Sequence, residues 1–218
     1  MNVQSSTSED HGVALLTDSD LLVFSVGIST GGVAEIRMAE ADPKRRIVAT
    51  TIDAGGAAFA RSCVAEEHLE DRIEVKIEDI AQPLPYGDSF FDYIYARLVL
   101  HYLPKDKLQT ALAELYRTLK PGGKLFVVVR STQCPDAQSP NATLDPETHL
   151  TTYRGEKEGK VNEYSRFFHT EDSIGGFVKD AGFRVAYLKS YDEHLFVDFM
   201  RTVRSPKMDN VIELLAEK

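Results

Sequence analysis

Three short polar segments each follow a run of apolar residues, and their chemistry is complementary. The run LLVFSV (21–26) ends in Gly27-Ile28-Ser29-Thr30-Gly31-Gly32, RIVATTI (46–52) ends in Asp53, and RIEVKI (72–77) is followed by Glu78 and Asp79. A glycine turn lets a ligand approach the backbone closely and aims the amides of the following helix at it. A carboxylate ending the second run is placed to accept hydrogen bonds from both hydroxyls of a ribose. A carboxylate ending the third can accept from the exocyclic amine of an adenine. No one of these signals is specific, since tight turns use such residues everywhere. Together they describe a site for an adenosine-bearing ligand.

That reading needs the three tips to lie along one edge, and the hydropathy pattern supplies the frame. Continuous apolar runs are the mark of strands buried on both faces. Between them lie amphipathic stretches: a helix through Ala41, stopped by Asp42-Pro43, and one from a Gly-Gly pair to about Leu69. A fourth run, FFDYIYARLVL, begins at Phe90 or Phe91, and Leu108, Leu112, Leu115 and Leu119 then mark one face of a helix. Lys120-Pro121-Gly122-Gly123 ends it, and KLFVVVR is a fifth strand. Parallel strands need crossovers, so this alternation predicts an α/β fold. The sheet is expected to be doubly wound, Rossmann-like and mostly parallel, with helices on both faces.

From Ser131 to Phe168 the alternation breaks. Compact domains use connections of about 4–6 residues, so a gap this long reads as a flap over about 131–169, part of it a hairpin with a Gly-bounded turn. A helix then starts at Thr170-Glu171-Asp172-Ser173, and FRVAYLKSY and NVIELLAEK are expected to pair antiparallel at the sheet edge. The organisation expected is a flexible lead over residues 1–20 and one domain over 21–218.

At 218 residues the chain suits a single core. Its apolar share of 43% and charged share of 27% are those of a globular protein. The formal net charge is −9 with no Lys/Arg block, which argues against nucleic acid or an anionic membrane surface as the main partner. No apolar run approaches the roughly 20 residues of a membrane span, and MNVQSSTSEDHG lacks the order of a secretory signal. Cys63 and Cys134 make no disulfide framework and no metal-spaced cluster, so each reads as a small buried residue. A cytoplasmic location is the default expectation.

The segment DIAQPLPYGDSFFDYIYARLVLHYL (79–103), followed by a helix and LKPGGKLFVVV (119–129), resembles the class I S-adenosylmethionine-dependent methyltransferases, particularly their small-molecule branch. The likeness runs from about Leu21 to the C-terminus. It implies seven strands with a C-terminal antiparallel pair, S-adenosylmethionine as cofactor, and methyl transfer to a small molecule. It also implies that Ser25, Gly27, Ile28, Ser29 and Gly31 line the methionine side and that Asp53 takes the ribose. Ala54 would lie beside the adenine, Asp79 and Ile80 would frame it, and Arg97 would lie near the sulfonium or the substrate.

The first motif departs from the family pattern. Ser25 stands where an acid is usual, and Ser29 where a second glycine is usual. That departure keeps open a second reading, a degenerate methyltransferase-like module with a binding or regulatory role. A third, a nicotinamide-dependent dehydrogenase, shares the glycine turn but not the Pro-Gly-Gly strand entry. Methyl transfer from a sulfonium asks the protein mainly for positioning, with a base only where the nucleophile carries a proton. His101, at the rim of the expected site, is the general-base candidate, against a packing role. Tyr153, Tyr164, Phe167 and Phe168 could wall the acceptor, since aromatic faces suit a cationic sulfonium, or simply pack the flap.

Overall fold

Side chains alternate across a strand, so an apolar run must be covered on both sides. Along β1 (Leu22–Val26), Phe24 and Val26 enter one apolar cluster and Val23 enters another. The computed structural model describes residues 4–28, 30–157, 160–196 and 203–218. Within them β1 is followed by α2 (Val33–Ala41), β2 (Arg46–Thr51), α3 (Ala54–Glu66), β3 (Ile73–Ile77), β4 (Phe91–Arg97), α4 (Lys105–Thr118) and β5 (Leu119–Arg130). After these come β6 (Thr143–Leu144), β7 (Thr151–Lys157), β8 (Lys160–Arg166), α5 (Glu171–Asp180), β9 (Arg184–Glu193) and β10 (Asp209–Glu217). A further helix, α1 (Thr7–Ala14), precedes them all.

The main sheet has seven strands in the order β3-β2-β1-β4-β5-β10-β9. The first five are parallel, and β10 pairs antiparallel with both β5 and β9. The C-terminal pair is therefore antiparallel as expected, with β10 inserted inside the sheet and only β9 at the edge. On one face α4 packs Leu108, Leu112 and Leu115, and α5 packs Ile174 and Val178, all fully buried. The other face is covered by Ala34 and Met38 of α2 and Ala57, Ala60 and Val64 of α3. Truncating one of these buried leucines to alanine would cost about 2–5 kcal/mol.

The long break holds a separate small antiparallel sheet, β6-β7-β8. Its hairpin joins β7 to β8 as the spacing predicts, and turn residues 158–159 lie outside the described residues. Cys134, Tyr153 and Phe168 form its own small core. Both cysteines are free and buried, and burial pushes the Cys134 thiol up to about 12, so it stays protonated at neutral pH.

Within the stretch expected as a lead, residues 7–14 form α1, which docks on the sheet with little apolar surface. Ser8 and Glu9 are fully buried, and the Tyr93 hydroxyl donates to the Gly12 carbonyl at 2.8 Å. A Cβ at Gly12 would lie 2.5 Å from both Tyr95 and Phe126, so only glycine lets the helix sit this low. Behind it His11, Tyr187 and Tyr191 converge on the fully buried Glu213 at 2.8, 2.8 and 2.5 Å. Burial pushes the Glu213 carboxyl up, but these donors and Lys189 outweigh it and hold it below its usual value.

Helix propensity alone makes any mid-helix Gly→Ala stabilising, by about 0.5–1 kcal/mol. Gly176 in α5 has nothing within 4 Å of an added Cβ and should follow that rule. Gly12→Ala should do the opposite and destabilise by about 1–3 kcal/mol through overpacking. Urea denaturation of the two variants checks the sign reversal.

Candidate functional site

Parallel strands deliver their carboxyl ends to one edge, and there the structure opens a cavity of about 590 Å³. Five tips contribute in sheet order. Glu78, Asp79 and Ile80 follow β3, while Thr50, Thr51 and Ile52 come from the end of β2. Gly27 and Ile28 follow β1, Arg97, Leu98 and Val99 close β4, and Arg130 ends β5. Tyr95, Tyr102 and Leu103 add one wall, and Ser6, Leu195 and Phe196 another. The charge runs from acid at the β3 end to base at the β4–β5 end.

Gly27 is where a residue type is obligatory. Its φ is +72°, and a Cβ there would meet Val99 Cγ2 at 2.6 Å, so the turns after β1 and β4 touch. The Ile28 amide then donates to the Thr50 carbonyl at 2.7 Å and ties the turn to β2. At the other end Asp79 Oδ1 accepts the Ala81 amide at 2.9 Å, which orients the carboxylate. Glu78 is held by the Tyr86 hydroxyl, 2.8 and 3.0 Å from its two oxygens. Ile52 leaves 76% of its surface exposed on the cavity, and Ile80 brings a second aliphatic side chain.

Of the expected residues, the structure brings Gly27, Ile28, Asp79, Ile80 and Arg97 to the cavity. Ser25 is fully buried one step behind Val26, and Ser29 lies outside the described residues. Gly31, at φ +70°, turns toward Cys63 and Phe59 of α3 instead. Asp53 is the N-cap of α3, its two oxygens accepting from the Gly55 and Gly56 amides at 3.0 and 2.9 Å. Neither Asp53 nor Ala54 lines the cavity, and both are exposed. The helix begins directly after Asp53, and its free amides take the carboxylate.

The general-base candidate and the four aromatic residues lie away from the cavity lining. His101 is 1% exposed and does not line the cavity. Burial, with Arg130, Arg166 and His169 nearby, drives its pKa well below 6.5 and keeps it neutral. Tyr153 and Phe168 pack the small sheet, Tyr164 packs beside them, and Phe167 enters the main core. None of the four reaches the cavity. Arg166 lies over the rings of Tyr102, Tyr153 and Tyr164 at 5.3–5.4 Å, so the flap is pinned by a cation among aromatics.

Ser6 and Arg130 carry no signal in the chain pattern. Arg97 donates from Nε to Ser8 Oγ at 2.7 Å and from Nη2 to Ser6 Oγ at 2.5 Å. Ser8 in turn donates its amide and hydroxyl to Glu193 at 2.6 and 2.7 Å. This clasp joins the N-terminal end of α1 to the tips of β4 and β9 and closes one side of the cavity. Arg130 is held by Asp136 and Asp209 at 2.8 and 3.1 Å. Among the described residues no group of three His, Cys, Asp or Glu side chains is placed to hold a metal. No helix among them is long and apolar enough to cross a membrane.

Residues 24–127 match the family model described as a methyltransferase domain. The sterol 4-C-methyltransferase strm-1 of Caenorhabditis elegans is 33% identical over 104 residues, 48% of this chain and 29% of that protein. The ubiquinone/menaquinone biosynthesis C-methyltransferase UbiE of Agrobacterium fabrum is 29% identical over 180 residues, 78% of this chain and 67% of its own length. The chain spans between 24% and 48% of the length of the first four curated relatives it matches. A putative S-adenosylmethionine-dependent methyltransferase from Listeria monocytogenes superposes with a TM-score of 0.70, covering 97% of this chain and 98% of that one. At 13% identity that superposition shows the fold alone.

His169, whose pKa burial lowers to about 3, and His101 are both buried neutral, so unfolding lets them take up protons. Their contribution to stability is complete above about pH 6.5 and is lost as pH falls through that value toward 3, at about 1.4 kcal/mol per pH unit for each imidazole. Urea denaturation between about pH 6 and 4.5 should show a slope smaller by about that amount in His169→Asn. An unchanged slope would contradict the assignment.

Proposed function

We propose that this chain, which belongs to the class I S-adenosylmethionine-dependent methyltransferases, transfers the cofactor's methyl group to a small molecule bound at the β4–β5 end of the cavity. The observation that carries the reading is one continuous cavity joining Asp79, the Gly27 turn and Arg97.

The residues present fit the cofactor. Asp79, oriented by the Ala81 amide, keeps Oδ2 for an exocyclic amine, and Ile52 and Ile80 offer aliphatic surface to a flat ring. We assign the ribose acceptor to Glu78, which lines the cavity and keeps acceptor lone pairs beyond its bond from the Tyr86 hydroxyl. Gly27 gives the amino-acid end a close approach to backbone that a side chain would block. S-adenosylmethionine supplies an already activated methyl group, so no triad or metal is required for the transfer. The chain's work is to hold the acceptor in line and keep water out. Tyr102, Leu103, Leu195 and Phe196 form the apolar part of that compartment, and the Ser6–Arg97 contact closes it. An open cavity on this scale favours catalysis over a degenerate module.

Calorimetric titration with S-adenosylmethionine and S-adenosylhomocysteine tests the reading, and no heat at millimolar ligand with folded protein would refute it. Asp79→Ala should weaken binding by about tenfold or more, the loss of a hydrogen bond to a charged group. Asp53→Ala should leave affinity within about twofold and instead lower stability by about 1 kcal/mol, the loss of a helix cap. Released S-adenosylhomocysteine, followed across a panel of small molecules, would then find the acceptor.

A further inference from the structure

The anomaly of the first motif is resolved inside the core. The Ser25 hydroxyl donates to Glu35 Oε1 at 2.5 Å, and both residues are completely inaccessible to solvent. Ser25 is the penultimate residue of the central strand β1, in register with Ala49 of β2 and Tyr95 of β4. Glu35 stands in the first turn of α2, where an acid is expected to face water and answer the helix dipole. Here it points inward, beneath the turn that begins at Gly27. Burying a carboxylate costs several kcal/mol per ion before its hydrogen-bond partners compensate.

The place itself suggests the use. A serine Oγ occupies the position of an aspartate Cγ, so Glu35 brings a carboxylate within one hydrogen bond of where a strand-borne acid would carry its own. The two acids in the cavity, Glu78 and Asp79, lie at the β3 end, two strands away. A ligand whose adenosine end is held there would extend its amino-acid end over β1, toward this buried carboxyl group.

Resting on the methyltransferase reading, we propose that Glu35 is a positioning residue. Through Ser25 it puts a negative charge under the glycine turn and so sets affinity for the ammonium-bearing end of the cofactor. The acid missing from β1 has been relocated to α2. One consequence runs against sequence intuition: Ser25→Asp, which restores the family pattern, forces two carboxylates together and should lower the thermal midpoint rather than improve binding.

The test compares two ligands by calorimetry, S-adenosylhomocysteine and methylthioadenosine, which lacks the amino-acid end. Glu35→Gln should weaken S-adenosylhomocysteine about tenfold or more while methylthioadenosine stays within about twofold. Ser25→Asp/Glu35→Gln should restore S-adenosylhomocysteine to within about threefold of the natural protein, and it carries the test alone if Glu35→Gln does not fold. Equal weakening of both ligands, or of neither, overturns the proposal. So does a folded double variant that binds methylthioadenosine but not S-adenosylhomocysteine. Failure of the natural protein to bind either ligand would instead overturn the methyltransferase reading itself.

Discussion

A parallel sheet of strands that are apolar on both sides has no room for polar chemistry except where the strands end. The two clusters flanking the sheet are built from alternating residues of the same strands, with Phe24 and Val26 on one side and Val23 on the other. Breaking into either face would expose the core, so every ligand-binding group is displaced to the carboxyl edge. The cavity follows from that constraint. Each of the five strand tips contributes one to three residues to it, in the order of the strands in the sheet.

The constraint also explains why buried polar groups elsewhere in the chain work as structure. Asp53 is drawn to the amides of α3, and Arg130 is fixed by Asp136 and Asp209. Glu213 is saturated by two tyrosines, His11 and Lys189. The clasp from Arg97 through Ser8 to Glu193 belongs to the same class, yet it shapes the site. It seals the edge with a segment that contributes almost no apolar area. The helix behind it is admitted only because Gly12 lets backbone rest on Tyr95 and Phe126.

Most of the fold was legible in the chain. Apolar runs located all five parallel strands, since their signal is a local run with punctuation at each end. The Gly27 turn and Asp79 were legible for the same reason, because a residue following a strand falls on the ligand edge whatever the rest does. What the local pattern did not carry was side-chain direction. Asp53 and Asp79 look equivalent in sequence, both acids after strands, but α3 starts one residue after Asp53 and takes its carboxylate. His101 follows β4 as expected and is nevertheless buried, its carbonyl accepting the Phe167 amide just after β8. The docking of α1 left no periodic trace, since it is made by serine, glutamate and glycine rather than by an apolar stripe.

The sequence by itself determined the layered α/β architecture, the edge where ligand binds and the adenosine-type chemistry of that edge. These depend on hydropathy period and strand punctuation, both local properties. Only the tertiary structure decided which carboxylates line the cavity, which are bonded to helix amides or arginines outside it, and what closes it. Those outcomes depend on contacts between residues as distant in sequence as Ser8 and Glu193. A hydrogen bond is satisfied by whichever donor the packed chain delivers within about 3 Å, and no local pattern encodes that.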